Sequence, residues 1–327
     1  MNGKYAIFGT GQAADIAFEF AASSGLNVAA FVDDFAKGFH HGLPIISWEY
    51  FLLQQKNFNA IITEKHQKGF LHSRQYISIP ILSIYHRPNH KDFSESIIKK
   101  LLAFKGVGKG KRCFILGNGP SLKLADIEKL KDEVTFASNK IYLVYPETDW
   151  RPTYYFVEDI LVAKNNSKEI DGIESHKFLE HNTLEFLDPK NSCVFFYKNN
   201  AEPIFSDVMH GIGGGRTVTA TQLQFARFMG FEEVYMIGMD FSFTLPENTE
   251  QGQETLISSG ERNHFHPDYR KAGETWSFPD LATQKQFFDY TAQHICSDDF
   301  RVYNASRSSK LDSFPRVDFD SLFKEES

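Results

Sequence analysis

Two short segments carry residue types and spacings that suit ligand chemistry. The first is Ile115-Leu116-Gly117-Asn118-Gly119-Pro120-Ser121-Leu122, followed by Ala137-Ser138-Asn139. Gly117 and Gly119 admit a phosphate close to the backbone, Pro120 presets a first helical turn, and Ser121 can bond a free amide or an anion. Asn118 and Asn139 each donate and accept, so they can read a ribose or base edge without adding charge. The plain structural alternative is a tight strand-to-helix connection in which Asn139 tolerates a left-handed backbone. The second segment is Phe8-Gly9-Thr10-Gly11-Gln12-Ala13-Ala14-Asp15, a GxGxxA turn, with Asp33-Asp34 at the end of the next strand. Gly9 and Gly11 suit a phosphate at a helix N-terminus and Asp33 suits a ribose hydroxyl, yet many α/β domains open with such a turn for packing alone.

Both segments need a strand, a turn and a helix behind them, and the sequence supplies that unit repeatedly. Strand-like runs at 5–8, 28–32, 43–46 and 60–63 alternate with helical runs at 11–24 and from Trp48, a βαβ rhythm that 79–84 closes. Phe93, Ile97, Ile98, Leu101 and Leu102 predict a connecting helix over 92–104, capped by Asp92 or Ser94. Lys105-Gly106-Val107-Gly108-Lys109-Gly110-Lys111 reads as a flexible linker. It is not a P-loop, because Arg112 stands where Ser or Thr is required, the glycine spacing is one residue short and no strand leads in. The rhythm then restarts, with strands predicted at 112–116, 134–137, 154–157, 193–196, 234–237 and 301–303, and helices at 122–130, 218–229 and 280–296. Residues 165–215 read as irregular. The expected fold is α/β, two Rossmann-like domains with mostly parallel sheets: an N-terminal domain over 1–90, a connecting helix and linker over 91–110, and a second domain over 111–327.

Composition narrows the function classes. The chain has 327 residues, 42% of them hydrophobic, enough for full cores. A formal charge of −7 argues against a general grip on nucleic acid or anionic lipid, so phosphate recognition must be local. The longest apolar runs are strand-sized, and the opening residues lead into the fold, so neither a transmembrane helix nor a signal peptide is expected. Cys113, Cys193 and Cys296 form no zinc spacing and suit a reducing compartment. The expected location is the cytoplasm, at most peripheral to the inner membrane. The aromatic content, 15%, is assigned mainly to core packing, with a sugar-stacking wall as the functional alternative.

Four pieces in order carry a family resemblance: Gly117-Asn118-Gly119-Pro120-Ser121-Leu122, Ser138-Asn139, the run from Gly230-Phe231 to Gly238-Met239-Asp240-Phe241, and Val302-Tyr303-Asn304-Ala305-Ser306. Together they resemble the 6-hydroxymethylpterin diphosphokinase-like domain family and the bacterial sialyltransferases of glycosyltransferase family 42, over about 111–310. Flagellin-glycosylation accessory proteins, which work with CMP-activated nonulosonic acids, look similar too. The segment Val32-Asp33-Asp34 with Gly42-Leu43-Pro44-Ile45 is similar to the N-terminal domain of sugar O-acyltransferases, where the unit can hold a nucleotide-sugar.

The sialyltransferase resemblance implies that Gly117, Asn118, Gly119, Pro120, Ser121, Asn139 and Asp240 surround the nucleotide, with Gly215, Arg216 and Thr217 in the loop before the helix that faces the base. It also implies a histidine general base, for which His264 and His266 are the candidates. The His-x-His alternation resembles a metal pair, but with no third Cys or His nearby no metal is expected. Where those enzymes offer a tyrosine to the departing phosphate this chain has Ser242, which leaves Tyr269, Arg270 or Arg216 for that role. The implied activity is transfer from a CMP-activated acidic sugar (sialic acid, another nonulosonic acid or Kdo) to a glycan acceptor in surface-polysaccharide assembly, with no cofactor and self-association left open. The alternatives are ATP-dependent diphosphate transfer to a pterin-like alcohol, which needs Mg2+ held by Asp240, Glu158 or Asp159, and a non-catalytic scaffold of a glycan pathway.

Overall fold

The computed structural model describes residues 4–62 except 11, 24, 34–35 and 55–56, residues 76–78, and residues 100–323 except 189–192, 197, 199–204, 206–207, 209–211, 248 and 250–252. The chain divides into two compact units, Met1–Ala103 and Phe104–Val208 with Ile212–Ser327. Both are α/β. No helix among the described residues is long and apolar enough to cross a membrane.

The first unit contains strands β1 (Lys4–Phe8), β2 (Asn27–Val32), β3 (Phe39–His40), β4 (Leu43–Ile46), β5 (Phe58–Ile62) and β6 (Tyr76–Ser78), with helices α1 (Gln12–Ser23) and α2 (Trp48–Gln54). The sheet order is β3-β4-β2-β1-β5-β6, parallel except for the β3–β4 hairpin. Its core is built on Ala6, Phe8, Val32 and Phe51, with the Phe8 and Phe51 rings edge to face at 4.9 Å. The strand predicted at 79–84 and most of the predicted helix over 92–104 lie outside the described residues.

The second unit carries β7 (Arg112–Leu116), α3 (Leu124–Glu128), β8 (Thr135–Ser138), β9 (Tyr154–Val157), α4 (Ile160–Asn165), α5 (Ser167–Asp171), β10 (His176–Glu180), β11 (Cys193–Phe196), α6 (Val218–Phe228), β12 (Glu233–Ile237), β13 (Thr255–Ile257), β14 (Thr275–Ser277), α7 (Leu281–Tyr290) and β15 (Arg301–Asn304). Seven strands form a parallel sheet in the order β11-β10-β9-β8-β7-β12-β15. Its central strands are short and almost wholly buried, as a parallel sheet covered on both faces requires. The chain leaves β7 on the β8 side and later returns on the β12 side, so the order reverses at β7. In open α/β sheets ligands bind in the crevice beyond the strand carboxyl ends at such a point.

Three expectations are corrected by packing. Residues 105–111 are not a free tether: the Gly108 amide donates to Met229 O at 2.7 Å, and a Cβ on Gly108 would lie 2.6 Å from the Phe231 ring. The helix predicted from 122 begins only at Leu124, so Pro120 lies in a turn outside it. The stretch read as irregular contains α5 and β10.

Candidate active site

The glycine turn after β7 meets the loop after β12 at the switch point. Gly117 N–H donates to Ile237 O at 2.8 Å and Gly119 N–H to Gly238 O at 2.9 Å. A Cβ on Gly117 would stand 2.4 Å from Gly238 O, and one on Gly119 would stand 2.0 Å from an Asp240 carboxylate oxygen. Glycine is therefore required here by the protein itself, whatever else approaches. Ser121, expected to offer donors to a phosphate, directs both elsewhere: its amide lies 3.1 Å and its hydroxyl 2.8 Å from Asp240 Oδ2. The Ser121–Asp240 pair thus braces two loops, and a carboxylate at that point repels rather than attracts a phosphate. Behind it, Ser306 Oγ accepts from the Met239 amide at 2.9 Å, so the Val302–Ser306 motif supports the same loop.

The groups left open gather beside this brace. Asn139 adopts the left-handed backbone, φ 53°, which turns the chain sharply at the end of β8. Asn118 Nδ2 reaches Ser138 O at 3.2 Å, and the Phe265 amide donates to Asn118 O at 3.0 Å. That last bond lays the histidine segment against the glycine turn. A cavity of about 100 Å³ is lined by Asn139, Lys140, Asp159, His264, Arg270 and Trp276, among others. A second, of about 330 Å³, is lined by Arg262, His264, His266, Tyr269 and Arg270, among others. His264, Tyr269 and Arg270 line both.

Four buried polar atoms here have no hydrogen-bond partner among the described residues: Asn118 Oδ1, Asn139 Oδ1, Arg270 Nη1 and Trp276 Nε1. Buried polar atoms are rarely left this way, and two of the four are donors on cavity-lining side chains. The Arg270 guanidinium lies over the Trp276 ring at 3.7 Å, and burial pulls its pKa below the usual arginine value. Lys140, in contrast, is paired with Glu274 at 2.6 Å.

The two histidines separate. His264 stacks flat on Tyr269, 3.8 Å between centroids and 4° between planes. The residue keeps some solvent contact, but its ring is enclosed, and desolvation, helped by the Arg270 and Lys140 charges, holds its pKa well below the usual histidine value. The imidazole is therefore neutral at pH 7. His266 Nδ1 accepts the Asp268 amide at 3.1 Å and caps a short 3-10 turn, so that nitrogen is spent on the backbone. Tyr269 is buried and its phenol is pushed up to about 12, so it stays protonated; the Asn139 side chain and the Lys140 amide hold it.

Other predicted residues lie apart. Gly215 packs on Ala220 and Phe287, and Thr217 is the N-cap of α6. Arg216 is 69% exposed and 3.6 Å from Asp280, lining neither cavity. In the first unit Asp33 accepts the Thr10 hydroxyl at 2.7 Å and the Ala36 amide at 3.1 Å, so its carboxylate braces the turn expected to hold a ribose. Gly9, φ 93°, closes that turn through Val32 O, and Gly11 lies outside the described residues. The sequence reading did not single out Lys140 or Trp276; Trp276 arrives on β14, a three-residue strand with no local signature.

Residues 86–245 match the family described as 6-hydroxymethylpterin diphosphokinase MptE-like, which bears out the resemblance to that family carried by the glycine turn, Ser138-Asn139 and the run to Phe241. The match covers Asn118, Asn139 and Asp240 and stops short of His264 and Arg270. The structure is similar to that of the MAf glycosyltransferase from Magnetospirillum magneticum AMB-1, at 16% identity and a TM-score of 0.43, over 98% of this chain and 58% of that one. The chain therefore spans little more than half the length of that protein. No curated protein matches the chain.

Proposed function

We propose that this chain, whose segment 86–245 resembles the 6-hydroxymethylpterin diphosphokinase-like family, is a metal-independent glycosyltransferase that takes a CMP-activated acidic sugar. The observation that carries this reading is the set of unpartnered donors, Arg270 Nη1 and Trp276 Nε1, beside Asn139 and a neutral imidazole in one cavity. A buried guanidinium with a free N–H suits a carboxylate or phosphate. The amide of Asn139, which lines that cavity, suits a ribose or pyrimidine edge, whereas Asn118 lines neither cavity and gives its Nδ2 to Ser138 O.

His264 serves as general base. It takes the proton of an acceptor hydroxyl as that oxygen attacks the anomeric carbon from the face opposite the leaving CMP, which inverts the centre. Burial alone disfavours the imidazolium that results, but the anionic donor offsets this by supplying negative charge nearby. Tyr269, still protonated, and Arg270 take the leaving-group role for which Ser242 is unsuited. Arg216 lines neither cavity and is set aside. The acceptor is a glycan, and the biological setting is surface-polysaccharide assembly.

Diphosphate transfer, the activity in the matched family's description, requires carboxylates that converge on Mg2+. Here they do not fit. Asp240 is tied to Ser121, Glu158 to Lys198 at 2.9 Å and to Thr221, and Asp159 caps α4 through the Leu161 and Val162 amides. The test is CMP release from CMP-sugars offered with mixed glycan acceptors, with EDTA present. Release that disappears in His264→Ala supports the reading; no turnover of any CMP-sugar, together with Mg2+-dependent AMP formation from ATP, overturns it.

A further inference from the structure

A separate cluster lies in the first unit, where the last residue of the GxGxxA segment, Asp15, is one of its members. Asp15 on α1 meets two consecutive histidines of the β3–β4 hairpin. His40 Nε2 is 2.6 Å and His41 Nε2 is 2.9 Å from the same oxygen, Asp15 Oδ1. The three ligand atoms lie within 4.8 Å of one another.

Consecutive residues of a strand point to opposite faces, so two adjacent histidines do not ordinarily share a target. Here the backbone turns between them. His40 ends β3 opposite Leu43, leaving His41-Gly42 as a two-residue loop with φ 47° and 75°. Positive φ at both positions belongs to the hairpin turn that Asn-Gly or Asp-Gly ordinarily fills. A histidine there gives up that turn chemistry and aims its ring at Asp15. Both rings are backed by aromatic neighbours. His41 stacks on Phe18 at 4.5 Å, and His40 stands edge-on to Phe31 at 4.7 Å. The imidazoles are thus positioned by apolar walls that supply no competing ligand, while the side chains of all three residues keep part of their surface in solvent.

We propose that Asp15, His40 and His41 form a binding site for a divalent transition ion of the zinc type. Two imidazoles and one carboxylate suit such an ion better than Mg2+ or Ca2+, which favour all-oxygen sets. Bonds of about 2.0–2.2 Å at tetrahedral angles put ligand atoms roughly 3.3 Å apart. Loading therefore opens the two Nε2···Oδ1 contacts by roughly half an ångström, within reach of side-chain rotation at a hairpin tip. Three protein ligands leave a fourth position open to solvent, the pattern of sites that take water or a small anion.

The experiment uses the full chain, stripped of metal, titrated with Zn2+ in a calorimeter and with Co2+ by visible absorption. The expected result is one Zn2+ per chain and a Co2+ ligand-field band, with affinity falling at least tenfold in Asp15→Asn and in His41→Asn. His41→Asn is the decisive variant, because asparagine suits the turn and removes only the ligand. Wild-type affinity retained in His41→Asn, or no Zn2+ uptake by the wild type, overturns the proposal and leaves the three residues as a hydrogen-bonded staple.

Discussion

Arg270 and His264 make different demands on a ligand, and their variants separate them. Arg270→Ala removes both the buried partner of the donor's anion and the charge that meets the departing CMP, so KM for the donor should rise about 10- to 100-fold and kcat should fall with it. Arg270→Lys, which keeps charge but loses the planar fork, should restore only part of this. His264→Ala should lower kcat by about 10²–10⁴ with little change in KM, and His266→Ala should leave kcat nearly intact. Equal losses at both histidines would contradict the assignment. The His264 ring in the free protein should remain neutral as pH falls below about 6.5, where an unfolded histidine gains its proton, so this residue withdraws stability on acidification. Its ring resonances followed by NMR should show no titration there until an anionic ligand is added.

Glu180 shifts in the opposite sense. Burial raises its pKa from 4.5 to about 6, so the folded state binds the extra proton between those values and stability falls as pH rises through that window. Glu180→Gln should therefore raise stability at pH 7 by on the order of 2 kcal/mol, an advantage that vanishes below about pH 4.5. Melting temperatures of both proteins across that range give the answer; a constant difference at all pH values would refute it.

The elements show which signals survive in a sequence and which do not. Strand β7 was legible because Cys113, Phe114, Ile115 and Leu116 are all fully buried, and a run of this kind is what a central parallel strand requires. Strand β10 was not, because His176 and Lys177 interrupt its apolar pattern; Lys177 is buried with its ammonium on the Ile170 and Asp171 carbonyls at the end of α5. The hairpin of β13 and β14 pairs residues about twenty apart in three-residue strands, a distance over which no turn motif speaks. Hence Asn139 and His264 could be named from the sequence, and Trp276, which lines the same cavity, could not.

The glycine turn was recognised as a motif but for an incomplete reason. Its glycines serve the close approach of two loops, so Gly119→Ala should cost about 1–3 kcal/mol of stability with no ligand present. Urea unfolding measures this, and an unchanged midpoint with weakened ligand binding would return the glycines to a purely phosphate-binding role. The aromatic surplus also finds its place at this scale. Phe136, Phe156 and Phe178 stack face to face across three neighbouring strands at 5.6 and 4.8 Å, and Phe225 of α6 stands edge-on to Phe156 and Phe178. Phe178→Ala should lose about 3–5 kcal/mol.

For the molecule as a whole, a charge of −7 leaves anion recognition, on the proposed reading, to the arrangement around Arg270. On the proposed reading, the cavities beside the switch point of the second unit receive a CMP-activated acidic sugar. Diffraction from crystals soaked in CMP tests it most directly. Nucleotide density is expected between Asn139 and Arg270, with an anionic group on Arg270 Nη1 or Trp276 Nε1 and the sugar-facing side turned toward His264. CMP seated elsewhere, or crystals that bind ATP with Mg2+ at the glycine turn and take up no CMP, would contradict it.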